Sequence, residues 1–107
     1  MHWIKLFVSE VEALQFFEKQ KFFTLGVNDQ KVCIARFGAS FYGFKSRCPH
    51  AGVSLSEGYI NDNLEVVCPL HGYRFSLLDG REVSGHNCHL PIYPIEIRSD
   101  GVFLGWY

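Results

Sequence analysis

The chain has 107 residues, enough for one domain and too few for two ordinary ones. Hydrophobic residues make up 48% and charged residues 20%, which excludes a disordered chain and allows a real core. Ten basic against eleven acidic residues leave a net charge of −1, which argues against a nucleic-acid partner held by a general phosphate field.

The opening MHWIKLFVSEVEAL has no basic stretch followed by an apolar one, so no signal peptide is expected. No apolar run approaches the roughly 20 residues of a membrane span. The expected location is cytoplasmic. Ile4, Leu6 and Val8 alternate with polar or aromatic positions and predict a half-buried strand. Ser9 with Glu12 fits a capping box, and Val11, Leu14 and Phe17 follow at helical spacing, predicting a helix of about two turns. Residues 22–27 then become strand-like. Asn28-Asp29 turns that strand into a second over 31–37, a hairpin.

Another strand is predicted at 41–44, after Gly38. Asn61-Asp62-Asn63 separates Tyr59-Ile60 from a strand at 64–67, and Asp79-Gly80 separates 73–77 from 81–83. Residues 93–98 and 102–107 flank Ser99-Asp100-Gly101 as a terminal hairpin. Roughly nine short strands and one helix predict an all-β domain without repeats or linkers. Trp3, Phe16, Phe17, Phe22, Phe23 and Trp106 are expected to pack in its core.

The chain carries four cysteines and five histidines. Without an expected secretory signal, a two-disulfide framework is disfavoured. Cys48-Pro49-His50 is a C-x-H pair and Cys68-Pro69-Leu70-His71 a C-x-x-H pair, separated by residues 51–67. Each follows an apolar strand and leads into a glycine, Gly52 or Gly72. Two loops, each offering one thiolate and one imidazole, can grip one object from two sides. Zinc accepts such a set, but usually with two to five residues between paired ligands. In extended chain the Cα atoms of a C-x-H pair lie about 6.6 Å apart with side chains on one side. That suits donors reaching two adjacent metal atoms, as in a two-iron, two-sulfide cluster.

The segment CPHAGVSLSEG…VVCPLHGYRFSLLDG resembles the Rieske iron–sulfur proteins, whose signature is C-x-H, a spacer, then C-x-x-H. The resemblance covers about 46–95 and includes both prolines after the cysteines and Leu90-Pro91-Ile92-Tyr93-Pro94-Ile95. It implies a Rieske-like fold of stacked antiparallel sheets, with a cluster-binding part at about 44–84 on a base of 1–43 and 85–107. It implies one [2Fe-2S] cluster, with Cys48 and Cys68 on the inner iron and His50 and His71 on the outer iron. Pro91 falls where a third, proline-containing loop covers the cluster.

High-potential members of the family carry an extra, disulfide-forming cysteine in each loop; those positions here are Val53 and Leu70. Such members also carry hydroxyl donors where this chain has Tyr73 and Phe75. Fewer hydrogen bonds to sulfur mean a lower potential, at about −150 to −50 mV within the Rieske range.

The resemblance therefore implies a soluble low-potential ferredoxin, an electron carrier between a flavin-dependent reductase and an oxygenase, with no catalytic site or small-molecule substrate of its own. Lys45, Arg47 and Arg74 would steer an acidic partner, and the small or uncharged Ala51, Gly52, Leu70 and Gly72 would let it approach. Two alternatives stay open. One is an accessory subunit similar to the small subunit of assimilatory nitrite reductase; the other is a zinc-bound interaction module. A catalytic oxygenase subunit is rejected, because only His2, His86 and His89 remain for a mononuclear iron site. His86, Cys88 and His89 form a short Cys/His run of weak value as a second metal site, and Cys33 reads as a buried small hydrophobe.

Overall fold

The computed structural model describes residues 1–50 and 52–106. Its order is β1 (His2–Phe7), α1 (Glu10–Lys19), β2 (Phe22–Val27), β3 (Gln30–Phe37), β4 (Ser40–Lys45), a 3₁₀ turn (Leu55–Glu57), β5 (Tyr59–Ile60), β6 (Glu65–Val67), β7 (Arg74–Ser76), β8 (Ile92–Tyr93), β9 (Ile95–Arg98) and β10 (Gly101–Trp106). Among the described residues these strands form three antiparallel sheets, ordered β1-β10-β9, β2-β3-β4-β8 and β5-β6-β7. The fold is mostly β, as predicted. None of the described helices is long and apolar enough to cross a membrane.

Local chemistry explains the punctuation. Asn28 and Asp29 both take positive φ (49° and 65°), which a two-residue hairpin loop requires, and Val27 pairs directly with Gln30. Ser9 caps α1: the Glu12 N–H donates to Ser9 Oγ at 3.1 Å. The Glu12 carboxylate accepts from Val8 N–H at 3.4 Å, one residue earlier than a standard capping box.

Several elements depart from the sequence reading. The helix runs to ten residues, and it buries Ala13 while Val11 is 62% exposed. The pairing of β1 with β10 slips between Lys5 and Phe7; this bulge turns Phe7 inward and leaves Val8 61% exposed, beyond the strand. Residues 81–83 are not a strand but make isolated bridges, Phe75 to Glu82 and Arg81 to His89. The strand predicted at 93–98 is two strands in different sheets, broken at Pro94, which lacks a donor. The Pro94 carbonyl still accepts from Gly105 N–H at 2.8 Å. Leu64 is not in β6 but takes φ 59° in a turn organised by Asn61, whose Oδ1 accepts from Asn63 and Glu65 N–H at 3.0 Å each. Tyr107, at the end of the last predicted strand, lies outside the described residues.

Two cores share β3. Cys33 and Ala35 point into one, with Phe44, Cys48, Leu55, Val66, Cys68, Phe75, Leu77 and Leu90. Val32 and Ile34 point into the other, with Phe7, Ala13, Val27, Phe41, Val102 and Leu104. Phe16, Phe17, Phe23 and Trp106 pack on the second core and Phe22 on the first; all are partly rather than fully buried. Trp3 is also half-buried, with the Arg98 guanidinium 4.8 Å from its ring. The first core is the one that contains the cysteines of both the C-x-H and the C-x-x-H pair.

Candidate metal centre

Two loops are built alike at one end of the first core. In residues 48–53 the Cys48 N–H donates to the Val53 carbonyl at 2.8 Å, and the Gly52 N–H donates to the Cys48 carbonyl at 2.9 Å. In residues 68–73 the Cys68 N–H donates to the Tyr73 carbonyl at 2.8 Å, and the Gly72 N–H donates to the Cys68 carbonyl at 3.1 Å. Gly52 and Gly72 take φ of 71° and 72°, a conformation glycine adopts without steric cost. An antiparallel bridge closes each loop, Arg47 to Ser54 in the first and Val67 to Arg74 in the second. Hydroxyl contacts from Ser46 to Ser54 (3.0 Å) and Ser54 to Ser56 (2.6 Å) tie the first loop down. Ala51, predicted to help a partner approach, lies outside the described residues.

The four predicted donors divide by depth. Cys48 and Cys68 are 1% exposed, whereas His50 and His71 are exposed, with ring centroids 5.9 Å apart. None of the four cysteines, all among the described residues, forms a disulfide. Among the described residues, no three His, Cys, Asp or Glu side chains form a group that could hold one metal ion. A tetrahedral zinc site needs such convergence. A [2Fe-2S] cluster with two cysteines on one iron and two histidines on the other asks for only two protein donors per metal, and this donor set fits it.

The Tyr73 hydroxyl has a partner of its own. It lies 3.1 Å from His50 Nε2, and the Tyr73 ring stacks on the His50 ring at 4.0 Å. The ring of His86 also stacks on that of Tyr73, at 3.8 Å and 15°. Loss of water contact, then the neighbouring Cys88, Glu82 and Cys48 groups, raise the Tyr73 pKa, so the hydroxyl keeps its proton at neutral pH. Phe75 is fully buried in the first core.

Glu82 holds His86 in place. Its buried carboxylate accepts from Ser84 N–H at 2.7 Å and His86 N–H at 2.6 Å, and its Oε1 lies 3.5 Å from His86 Nδ1. The turn is pinned to the second loop, because Ser84 Oγ accepts from Arg74 N–H (3.0 Å) and the Arg74 carbonyl accepts from Val83 N–H (2.8 Å). Burial pushes the Glu82 carboxyl up, but hydrogen bonds from Ser84 and His86 and the His86 ring outweigh it, so its pKa lies below the ordinary range.

His86, Cys88 and His89 do not gather into a second metal site. His86 faces Tyr73, Cys88 packs half-buried against the first core, and His89 lines a cleft with Lys45, Arg47, Pro49, His50 and Pro91. Pro91 thus lies beside the first loop, and its carbonyl accepts from Lys45 N–H at 2.9 Å. Of the predicted steering cations, Lys45 and Arg47 border this cleft, whereas Arg74 pairs with Glu65 at 3.4 Å. Cys33 is buried, which pushes its thiol up against the lowering effects of Ser46 and Lys31. His2 is exposed on β1.

The sequence reading missed Glu82 and the role of His86. The available signal was Glu82-x-Ser84-Gly85-His86: an acid followed by a small-residue turn whose N–H groups can fold back on its carboxylate.

A family model for the Rieske [2Fe-2S] domain matches residues 4–94. The 3-phenylpropionate/cinnamic acid dioxygenase ferredoxin subunit of Shigella boydii serotype 4 (strain Sb227) is 32% identical over 74 residues, which cover 68% of this chain and 70% of that protein. A solved complex of reduced oxygenase and oxidized ferredoxin in carbazole 1,9a-dioxygenase contains a chain matched with TM-score 0.77 and 23% identity, covering 95% of this chain and 91% of that one. A structure assigned provisionally as an NADH-dependent nitrite reductase small subunit from Mycobacterium tuberculosis matches with TM-score 0.78 and 18% identity, covering 96% and 92%. At these identities the two structural matches speak for the fold alone.

Proposed function

Because this chain belongs to the Rieske [2Fe-2S] family, we propose that it is a one-electron carrier passing electrons from a reductase to an oxygenase or a related oxidoreductase. When bound, the family's [2Fe-2S] cluster supplies a one-electron couple. In this reading the buried Cys48 and Cys68 thiolates would hold the inner iron, and His50 and His71 would hold the outer iron. The observation that carries the reading is the division by depth: thiols at 1% exposure, imidazoles exposed at the tips of matching loops. An exposed imidazole pair gives a docked partner the shortest approach. Residues 44–84 are the cluster-binding part and residues 1–43 with 85–107 the base.

The dioxygenase ferredoxin relative supports an oxygenase as acceptor, and the carbazole dioxygenase complex pairs a ferredoxin of this fold with an oxygenase. A flavin-dependent reductase is the proposed donor, and the cytoplasm the proposed location. The chain is read as having no catalytic site, no small-molecule substrate and no nucleic-acid partner. Phe75 has no hydroxyl and the Tyr73 hydroxyl is turned toward His50, which supports a midpoint at the low end of the Rieske range, about −150 to −50 mV.

A second reading, an accessory subunit like that of a nitrite reductase, draws on the fold match to such a subunit. Potentiometric titration followed by low-temperature EPR on anaerobically purified protein separates the two. A Rieske-type signal with a midpoint well below zero is expected. The same signal at a strongly positive midpoint would overturn the reading of Tyr73 and Phe75, and a metallated protein without an iron signal would overturn the carrier role.

A further inference from the structure

We infer that His86 is a positioning residue of the metal centre, fixing the His50 imidazole through Tyr73; this rests on His50 being a ligand, as proposed above. Tyr73 stacks on both imidazoles, on His50 at 4.0 Å and on His86 at 3.8 Å. The His86 ring centroid lies 6.1 Å from that of His50, farther than from Tyr73, so Tyr73 is its nearer ring partner. What keeps His86 there is the buried Glu82 carboxylate, which takes the N–H groups of Ser84 and His86 and faces the His86 ring nitrogen. An exposed imidazole on a loop would otherwise sample many rotamers. Here both its backbone and its ring are held.

The Tyr73 contact also bears on which nitrogen of His50 is available. Nε2 faces the Tyr73 hydroxyl at 3.1 Å, which leaves Nδ1 for a metal. A neutral imidazole bound through Nδ1 carries its proton on Nε2, so Nε2–H donates to Tyr73 Oη. Such a hydrogen bond fixes the ring plane and makes the imidazole a stronger donor to its metal. His86 stacks on Tyr73, so Tyr73 cannot swing away from His50 without losing a second stacked partner. His71 has no counterpart to this arrangement among the described residues, its ring lying 6.2 Å from Tyr73.

The test uses full-length, cluster-loaded His86→Ala, His86→Phe and Tyr73→Phe proteins, read by iron and sulfide content, EPR line shape and midpoint potential. His86→Ala should keep its iron and sulfide while its g-values broaden and its midpoint moves. His86→Phe, which keeps a ring on Tyr73, should restore both. Tyr73→Phe keeps the stack but removes the acceptor for His50 Nε2–H, so its midpoint should shift upward. An unchanged signal and midpoint in His86→Ala would overturn the inference. So would a His86→Phe protein that behaves like His86→Ala, including one that also loses the cluster. A His50→Ser protein that retained the two-histidine signal would instead sink the ligand assignment, whatever residue 86 does.

Discussion

The two loops share a backbone and differ in everything around it. Residues 48–53 and 68–73 repeat the same two hydrogen bonds and the same glycine conformation. The first loop, however, is laced by serine hydroxyls, bordered by Pro91, and has its imidazole stacked against Tyr73. The second is the tip of the β6–β7 hairpin, and beside its imidazole Leu70 stands 55% exposed. Backbone repetition places two thiols at equal depth, whereas unequal surroundings make one histidine held and the other open. The loops are alike where they face the core and unlike where they face outward.

The equal half of that comparison breaks most visibly at the cysteines. Cys48→Ser and Cys68→Ser should each abolish the two-iron centre, measured as iron and sulfide content with loss of the EPR signal; retention in one of them would mean the loops do not share the inner metal. The unequal half is probed next by Glu82→Gln. Glu82 has a folded-state pKa below its unfolded value, so its stabilisation is full above the ordinary carboxylate range and is lost as pH falls through the depressed folded value. Thermal unfolding across acid pH should therefore be steeper for the unsubstituted protein than for Glu82→Gln; parallel curves would show that the carboxylate does not anchor this turn.

Smaller effects are expected at the glycines. Gly72→Ala should cost about 1–2 kcal/mol from left-handed backbone alone, since a Cβ there meets nothing within 4 Å. Gly52→Ala adds a contact with the Arg47 guanidinium at 3.1 Å, so its melting temperature should fall slightly further. A much larger gap between them would refute the likeness of the two backbones. Leu70→Ala should change stability by no more than about 0.5 kcal/mol. A larger loss in chemical denaturation would show that Leu70 packs in the fold rather than standing at its open tip.

The candidate donors were legible as a pattern because spacing survives in one dimension: C-x-H and C-x-x-H name their residues before any fold is known. The first hairpin was legible for a similar reason, since Asn28-Asp29 carries its own backbone preference. Alternation at Ile4 and Leu6 marked β1 correctly and misled only at Val8, because the bulge between Lys5 and Phe7 reverses facing, which a pattern of period two does not register. Residues 93–98 misled because the alternation of Ile95, Glu96, Ile97 and Arg98 does not reveal that Pro94 hands the chain from one sheet to another. His86 was opaque for a further reason. Its neighbours Tyr73 and His50 are distant in sequence, and only the carboxylate-bound turn at Glu82 brings the three rings together.

Strand β3 runs between the two cores, feeding Cys33 and Ala35 to one and Val32 and Ile34 to the other. All four are at most 1% exposed, and β3 is paired on both edges, with β2 and with β4. Its amides should therefore be among the last to exchange with deuterium, opening only with the whole molecule. The core built on Val32 and Ile34 contains neither Cys48 nor Cys68. During maturation, β3 would thus be a seam already closed from the base side before iron and sulfide arrive, leaving the two tips as the last parts of the chain to set.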